Sequence, residues 1–335
     1  MICNVLKEKN NVVIEERAIP EPKLGQVRIK TMLAGICGSD IHALHGLQPS
    51  LTFPRVMGHE LVGIIDAFNP KDEQQGFHVG DRVAIDPSFR CGKCALCKDG
   101  RENICENLEV LGVHCDGGFS QFFICNVDML HKLPECLRFE EAIFCEPMSI
   151  AMHAISRMTS TNRNKVAILG AGPIGLALLV ALKELFQKVI VFEVLENRKR
   201  VALEIGADEV IDSVSGVYEA EDIDVVFDAV SIYATSVKAA KIVKRGGEVI
   251  VVGMAKPDVW FALLPILKKE LTIRGTRMTR SVDFLAGLDL LARTDPKKIQ
   301  AIITGYCSLA DSVEGIHFAE KNPDKCIKEV IDCRK

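Results

Sequence analysis

A glycine-rich turn at residues 170–175, Gly-Ala-Gly-Pro-Ile-Gly, limits the possible fold more than any other stretch of this sequence. The apolar run at 165–169 before it predicts a buried strand, and the apolar run after it predicts a helix. In that context Gly170 permits the tight turn, Gly172 admits a pyrophosphate, and Gly175 lets the helix pack on the strand. Phosphates are expected at the helix N-terminus, where free N–H groups attract anions. The dinucleotide-binding residues expected in this turn are Gly170, Gly172, Pro173, Ile174 and Gly175.

A second predicted strand, residues 188–193, ends in Glu193, where such a fold places the acid that holds the adenosine ribose hydroxyls. A carboxylate there repels a 2′-phosphate, so NAD is favoured over NADP. Arg198, five residues further on, keeps NADP as an alternative. Further strands are predicted at 224–228 and at 248–253, the latter ending in Gly253, which we add to the cofactor-binding residues.

The alternation of strands and helices after residue 149 predicts an α/β domain with a doubly wound parallel sheet. A helix is expected at 235–244, between the strands at 224–228 and 248–253. The expected limits of this NAD-binding domain are 149–276. The segment 277–335, with helices near 281–293 and 311–321 and a strand at 325–332, is expected to return to the first domain.

The first part of the chain, residues 1–148, has a different pattern, with short apolar alternations broken by Gly, Pro and Asp. Stretches such as 27–33, 61–65 and 82–85 predict strands. Residues 69–76 predict a polar surface loop. The first domain is therefore expected to be rich in β-structure.

Four cysteines within this β-rich part have a spacing typical of a metal site: Cys91, Cys94, Cys97 and Cys105. Four thiolates can enclose one tetrahedral zinc ion, and such a closed shell is structural, since it has no position for a substrate. An iron–sulfur cluster, which also takes four cysteines, is the alternative. We expect a structural zinc lobe at about residues 88–108.

A second set of possible ligands combines a thiol, an imidazole and carboxylates: Cys37, His59, Glu60 and Glu146. A catalytic zinc needs about three protein ligands and one exchangeable position, and a mixed set of this kind supplies them. Each residue also has an ordinary interpretation, His59 as a hydrogen-bonded core histidine and Glu146 as a carboxylate at a helix N-terminus. Ser39 and His42 offer a hydroxyl and an imidazole three residues apart that could pass protons near neutral pH. The spacing does not distinguish His42 from His45 in this role.

Composition excludes several classes of function. The net charge of −4 gives no electrostatic reason to expect nucleic-acid binding. The N-terminus has no signal-peptide pattern, and the longest apolar run is too short to span a membrane. Thirteen cysteines without an export signal favour metal ligation and free thiols over disulfides. We therefore expect a cytoplasmic protein without nucleic-acid or membrane partners.

Taken together and in this order, Cys37, the Gly58-His59-Glu60 segment, the four-cysteine lobe and the glycine-rich turn resemble the zinc-dependent medium-chain dehydrogenases. The resemblance covers essentially the whole chain. It implies a GroES-like β-rich catalytic domain, a Rossmann domain that binds NAD, two Zn²⁺ ions per chain, and a homodimer or homotetramer.

The resemblance also implies roles for particular residues. Cys37, His59 and Glu60 would hold the catalytic zinc, and Glu146 would join them directly, through water, or in alternation with Glu60. Ser39 and His42 would form the proton relay, with Asp40 as the acceptor behind His59. The sequence Glu146-Pro-Met-Ser is similar to the polyol branch that includes sorbitol and threonine dehydrogenases, although a thiol, Cys145, lies beside that acid.

Within that branch, residues 54–60 and 111–120 are most similar to two bacterial groups, the L-galactonate oxidoreductases and the starvation-sensing dehydrogenase-like proteins. The implied activity is hydride transfer between NAD and a secondary alcohol of a polyol or sugar acid. Alternatives are a primary-alcohol or threonine dehydrogenase of the same family, or a regulatory homologue that binds NAD and zinc without turnover.

Overall fold

The computed structural model describes residues 1–69, 76–254, 261 and 263–335, so most of the polar loop expected at 69–76 lies outside the described residues. The chain forms two compact units. The first contains residues 1–146, 280–293 and 303–335, and the second contains residues 147–279 and 294–302. From the sequence, the segment 277–335 is expected to belong to the first domain throughout. In the structure, residues 277–279 and 294–302 belong to the second unit instead.

The strands are β1 (Ile2–Glu8), β2 (Asn11–Glu16), β3 (Gln26–Gly35), β4 (Arg55–Val56), β5 (Glu60–Phe68), β6 (Arg82–Ile85), β7 (Ser88–Phe89), β8 (Glu109–Val110), β9 (Phe122–Asn126), β10 (Leu130–Lys132), β11 (Lys165–Leu169), β12 (Lys188–Glu193), β13 (Glu209–Asp212), β14 (Ile223–Asp228), β15 (Val243–Val251), β16 (Thr272–Gly275), β17 (Ile303–Ser308) and β18 (Lys328–Asp332). The helices are α1 (Gly38–Leu44), α2 (Ala95–Lys98), α3 (Phe139–Ala142), α4 (Cys145–Ser156), α5 (Pro173–Leu182), α6 (Glu196–Ile205), α7 (Tyr233–Ile242), α8 (Leu263–Lys269), α9 (Ser281–Arg293), α10 (Pro296–Ile302) and α11 (Ser312–Lys321).

The main sheet of the first unit runs in the order β10-β6-β5-β3-β18-β17, with β9 also pairing with β3. Strands β5 and β18 flank β3, and in that register Gly35 lies opposite both Glu60 and Val330. An apolar cluster in this unit has members from the first strands and from the C-terminal β18, among them Val5, Ile65 and Ile331. Strand β18 is therefore an interior part of the β-rich unit.

The second unit is built on a six-stranded sheet, β13-β12-β11-β14-β15-β16, in which every neighbouring pair is parallel. The central strands are apolar along their length because helices cover both faces of such sheets. The predicted combination of a β-rich unit with a doubly wound parallel sheet is confirmed. Some boundaries differ from expectation. The helix expected at 235–244 is Tyr233–Ile242, and the strand expected at 248–253 is Val243–Val251, which begins before the glycines at 246 and 247. The strand expected at 325–332 begins at Lys328.

None of the helices in the described ranges combines the length and the apolar character that crossing a bilayer requires.

Candidate active site and metal centres

Three side chains of the first unit bring a sulfur, a nitrogen and an oxygen together: Cys37, His59 and Glu60 have ligand atoms that all lie within 4.8 Å of one another. Cys37 lies between β3 and α1, Glu60 begins β5, and His59 directly precedes that strand. The backbone that leads into β5 requires a glycine at position 58, because Gly58 adopts φ +96° and a Cβ there would lie 2.2 Å from the ring of Phe119. A mixed, three-residue donor set fits a zinc ion that keeps a position open.

Polar groups of α1 lie close to the donors of this cluster. The Cys37 N–H donates to Asp40 Oδ2 at 2.9 Å, and Asp40 Oδ1 lies 3.6 Å from His59 Nδ1. The Ser39 hydroxyl lies 3.2 Å from the other ring nitrogen, His59 Nε2. Carboxylates behind metal-binding imidazoles commonly set the ring orientation. Asp40 and Ser39 thus lie on opposite sides of the same imidazole.

The electrostatics of the cluster favour a positive charge at its centre. Burial lowers the pKa of His59, but Asp40 and Cys37 outweigh that effect, so the pKa lies well above its usual value. Burial raises the pKa of Asp40, which is 3% exposed. A divalent cation bound at this position would also compensate the negative charge of these groups.

A buried lysine that sequence reasoning missed contacts this cluster. Lys328 of β18 forms an ion pair with Glu60 through Nζ and Oε2, and its Nζ also donates to the Ile36 carbonyl at 2.9 Å. Burial lowers the pKa of Lys328, but the charges of Glu60 and Cys37 raise it above its usual value. The only signal in the sequence is that Lys328 lies within the strand expected at 325–332.

The four-cysteine lobe forms a compact tetrad. The sulfurs of Cys91 and Cys105 are 3.4 Å apart, those of Cys94 and Cys105 3.9 Å, and those of Cys91 and Cys97 4.0 Å. Thiolates around one tetrahedral zinc, with Zn–S near 2.3 Å, lie about 3.8 Å apart. Backbone N–H groups of Lys93 and Cys94 and the Cys105 thiol lower the pKa of Cys91 to about 6, which favours the thiolate that a metal binds.

The glycine-rich turn of the second unit has the geometry that its sequence requires. Gly170 adopts φ +93°, and Gly172 directly precedes α5, which begins at Pro173. A Cβ on Gly175 would lie 1.9 Å from the Gly170 carbonyl oxygen, so only glycine allows α5 to approach β11 this closely. Ile174 lies in the first turn of the same helix.

The other cofactor-binding candidates lie at the same edge of the parallel sheet. Glu193 ends β12, and its carboxylate accepts from the Ala171 N–H at 2.7 Å, which ties the acid to the glycine-rich turn. The Arg198 guanidinium reaches the turn too, with Nη1 3.6 Å from the position of a Cβ on Gly172. Gly253 follows β15 and donates to the Asp228 carbonyl at 3.0 Å. Carboxyl ends of parallel strands are where such sheets bind ligands.

Comparison with known proteins supports the interpretation of both units. Residues 23–135 match the family model for the alcohol dehydrogenase GroES-like domain, and residues 173–293 match that for the zinc-binding dehydrogenases. The chain belongs to the zinc-type alcohol dehydrogenase family. The resemblance predicted from the motifs is therefore confirmed, and the protein is an oxidoreductase of that family.

Three similar proteins illustrate its position within this family. The chain is 32% identical to the starvation-sensing protein RspB of Escherichia coli K12, over 98% of each chain. It is 34% identical to L-galactonate-5-dehydrogenase of the same organism, over 85% of this chain and 84% of the relative. The crystal structure of a short chain alcohol dehydrogenase from E. coli CFT073 complexed with NADH shares 32% identity and a TM-score of 0.90, over 99% of each chain.

Glu146 of this zinc-type dehydrogenase lies in the first turn of α4 and is 8% exposed. Burial and the charge of Glu60 raise its pKa to about 7. Among the described residues, the group with ligand atoms within 4.8 Å does not include it. The neighbouring Cys145 is buried in the same helix, and burial raises the pKa of its thiol well above the usual value, which disfavours a thiolate ligand.

The two histidines of α1 that spacing could not distinguish have different surroundings. His42 is exposed in the last turn of the helix, three residues after Ser39. His45, which directly follows the helix, contacts Asn10 and Glu320 through its two ring nitrogens. The Ser39 hydroxyl contacts His59 rather than either of them.

Proposed function

We propose that this protein catalyses the NAD-dependent oxidation of a secondary alcohol on a polyol or sugar acid, with zinc held by Cys37, His59 and Glu60. The observation that supports this most directly is the sulfur–nitrogen–oxygen cluster, since a structural site would be closed by four cysteines. The 34% identity to an L-galactonate-5-dehydrogenase supports the substrate class.

Zinc supplies Lewis acidity toward an alcohol oxygen, and NAD accepts the hydride. The residues of the chain orient the zinc ligands, compensate their charge and move protons to and from the site. Asp40 keeps the His59 ring in place from behind, and Lys328 compensates the charge of Glu60. We assign the proton path to Ser39 and His42: the first lies at the metal centre, and the second is exposed to solvent on the same side of α1.

Glu146 is proposed as the further acid of the catalytic centre, bound directly, through water, or in alternation with Glu60. Its burial and its electrostatic influence on His59 and Lys328 support a position near the cluster. The four-cysteine lobe is assigned a structural zinc, because its ligand shell leaves no position for a substrate.

The second unit is proposed to bind NAD through the glycine-rich turn, Glu193, Arg198 and Gly253. Glu193 carries a charge that disfavours a 2′-phosphate, and the similar E. coli CFT073 protein is complexed with NADH. The first unit, with most of the C-terminal segment, takes the catalytic role. NADP, which Arg198 could accept, remains the alternative cofactor.

We further propose a cytoplasmic homodimer or homotetramer. On the second unit, β16 is the last strand of the parallel sheet, and α8 exposes Leu263, Leu264 and Leu267, which are 60–74% exposed. Among the described residues no further strand pairs with β16, and a strand edge and exposed apolar side chains are both surfaces that a second copy can cover. Sedimentation at micromolar concentration tests this, and a monomer would contradict it.

The activity is tested by following NADH absorbance with NAD and single members of a panel of polyols, aldonates, sugar phosphates, threonine and primary alcohols. We expect NADH formation with a polyol or an aldonate. Cys37→Ala and His59→Ala should abolish it while NADH still binds, and Cys136→Ala, at an exposed thiol, should not. Turnover of primary alcohols only, or of threonine only, would favour a primary-alcohol or a threonine dehydrogenase of the same family. NAD binding without turnover of any substrate would favour a regulatory homologue.

A further inference from the structure

A polar cluster on the first unit joins three segments that are far apart in sequence. His45 follows the last residue of α1, and its Nδ1 lies 2.8 Å from Asn10 Oδ1 in the turn between β1 and β2. Its Nε2 bonds to Glu320 Oε1 of α11, 275 residues away. His317 of α11 lies 3.7 Å from the other oxygen of Glu320. We call His45, Asn10 and Glu320 the α1 clamp.

The backbone strengthens this clamp. The Asn10 N–H donates to the Leu44 carbonyl at 2.7 Å, which satisfies one of the carbonyls left free at the C-terminal end of α1. Asn10 adopts φ +60°, a conformation that asparagine tolerates better than most residues. The Lys9 side chain lies against Gly46, 3.5 Å from the position of a Cβ there. The end of α1 is thus held by a turn on one side and a helix on the other.

The clamp matters because of what α1 holds at its other end. Cys37 precedes the helix, and Ser39 and Asp40 lie in its first turn, all in contact with the metal cluster or with one another. Seven residues are too few for a helix that is stable by itself, so its position depends on contacts at its ends. The N-terminal side is tied through Ile36, whose N–H donates to the Glu329 carbonyl at 3.0 Å.

We propose that His45 is a positioning residue for the catalytic metal centre. Through Asn10 and Glu320 it holds the C-terminal end of α1, and the short helix transmits that restraint to Cys37 and Asp40. The proposal rests on the proposed function in so far as the Cys37–His59–Glu60 cluster holds the catalytic zinc. A hydrogen bond from His45 lowers the pKa of Glu320, as expected for an acid that accepts from this imidazole.

The test measures metal retention, which does not depend on knowing the substrate. The full chain is loaded with cobalt(II), whose absorption differs between a four-sulfur site and a mixed site, and release to EDTA is followed at both. We expect His45→Ala and Glu320→Gln to release the mixed-site metal about tenfold faster than the unaltered protein, the lower end of the effect of supporting residues. Release from the four-cysteine lobe, an internal control for folding, should not change.

Rescue distinguishes positioning from general loss of structure. The double variant with His45→Glu and Glu320→Lys places an ion pair at the same two positions, and retention should return toward that of the unaltered protein. Lys132→Gln removes a comparably exposed pair, with Asp81 at 2.7 Å, and should leave retention unchanged. Unchanged release in His45→Ala, equal acceleration at both sites, or absence of rescue would overturn the proposal. A protein that retains metal normally but oxidises no substrate would instead count against the proposed function.

Discussion

Lys328 Nζ pairs with the carboxylate of Glu60 inside the first unit, where each side chain is only 2% exposed. Strand β3 lies between the strands of Glu60 and Lys328. The two side chains can meet across it because the residue of β3 at this point is a glycine, Gly35, which has no side chain. Burying two charges is costly, and their mutual attraction compensates that cost only while both partners are present. The pair therefore links the stability of the sheet to the charge of the metal centre.

Lys328→Met should leave Glu60 as an uncompensated buried charge and lower the free energy of unfolding of the metal-free protein by about 3–5 kcal/mol. Zinc supplies a positive charge next to the same carboxylate, so the loss should be smaller in the zinc-loaded protein. Urea unfolding with and without zinc measures both values. Lys335→Met, at a residue whose side chain is 71% exposed, is the control. Equal losses in both states would show that the pair and the metal centre are independent.

Gly35→Ala should disturb the same pair from the strand between them. A Cβ there would lie 2.1 Å from Glu60 Oε2, so the carboxylate must move. We expect a loss of about 1–3 kcal/mol of stability, typical of overpacking, together with reduced zinc retention at the mixed site. Gly38→Ala is the matched control, since a Cβ there meets no atom within 4 Å. Full zinc retention in Gly35→Ala would contradict the expected displacement of Glu60.

Cys97→Ser should remove the zinc of the four-cysteine lobe and leave the mixed site loaded. The zinc content is expected to fall from about two ions per chain to about one, as the tetrad loses one of its four ligands. Thermal unfolding should shift to lower temperature, because a structural zinc contributes to folding. Metal analysis after gel filtration gives the stoichiometry, and Cys136→Ser, at an exposed thiol outside both sites, is the control. A content of two in Cys97→Ser would exclude the four-cysteine assignment.

Gly175→Ala should weaken NADH binding without changing the zinc content. The added Cβ would lie 1.9 Å from the Gly170 carbonyl and push α5 away from the turn. A strain of about 1–3 kcal/mol corresponds to a rise in Kd of roughly fivefold to more than a hundredfold, measurable by NADH fluorescence. Gly275→Ala, where a Cβ would meet nothing within 4 Å, should bind NADH normally. Equal affinity of the two variants would contradict the role of the turn.

Asp224 should make the second unit sensitive to acid. It is 2% exposed, and its Oδ2 accepts from the Asn164 and Lys165 N–H groups at 2.8 and 3.0 Å. Burial raises its pKa, but the ion pair with Lys244 and these bonds outweigh that effect and hold the pKa below its usual value.

Because the pKa of Asp224 is lower in the folded than in the unfolded protein, its carboxylate stabilises the fold above the unfolded value, about 3.9. That contribution is lost as the pH falls through the folded pKa. Asp224→Asn should therefore cost about 1.5–3 kcal/mol at pH 7, the usual range for hydrogen bonds to charged groups, and less as the pH falls. Urea unfolding at several pH values measures the difference. A cost that does not depend on pH would contradict this assignment.

The sequence alone determined the features whose residues are close together in the chain. The four cysteines span fifteen positions, and the glycine-rich turn spans six, so local geometry suffices to form them and their spacing reveals them. The chemistry of Cys37, His59 and Glu60 made them possible zinc ligands, but only the resemblance to a known family assigned them to one site, since they lie on different segments.

Only the tertiary structure decided which distant residues support these sites. Lys328 meets Glu60 because the strand order β5-β3-β18 places them on either side of Gly35, and no local pattern encodes that order. His45 and His42 have the same chemistry and nearly the same position in the sequence, yet only His45 faces Asn10 and Glu320. Long-range packing determines such pairs, because a side chain's partners depend on sheet register and helix orientation rather than on neighbours in the chain.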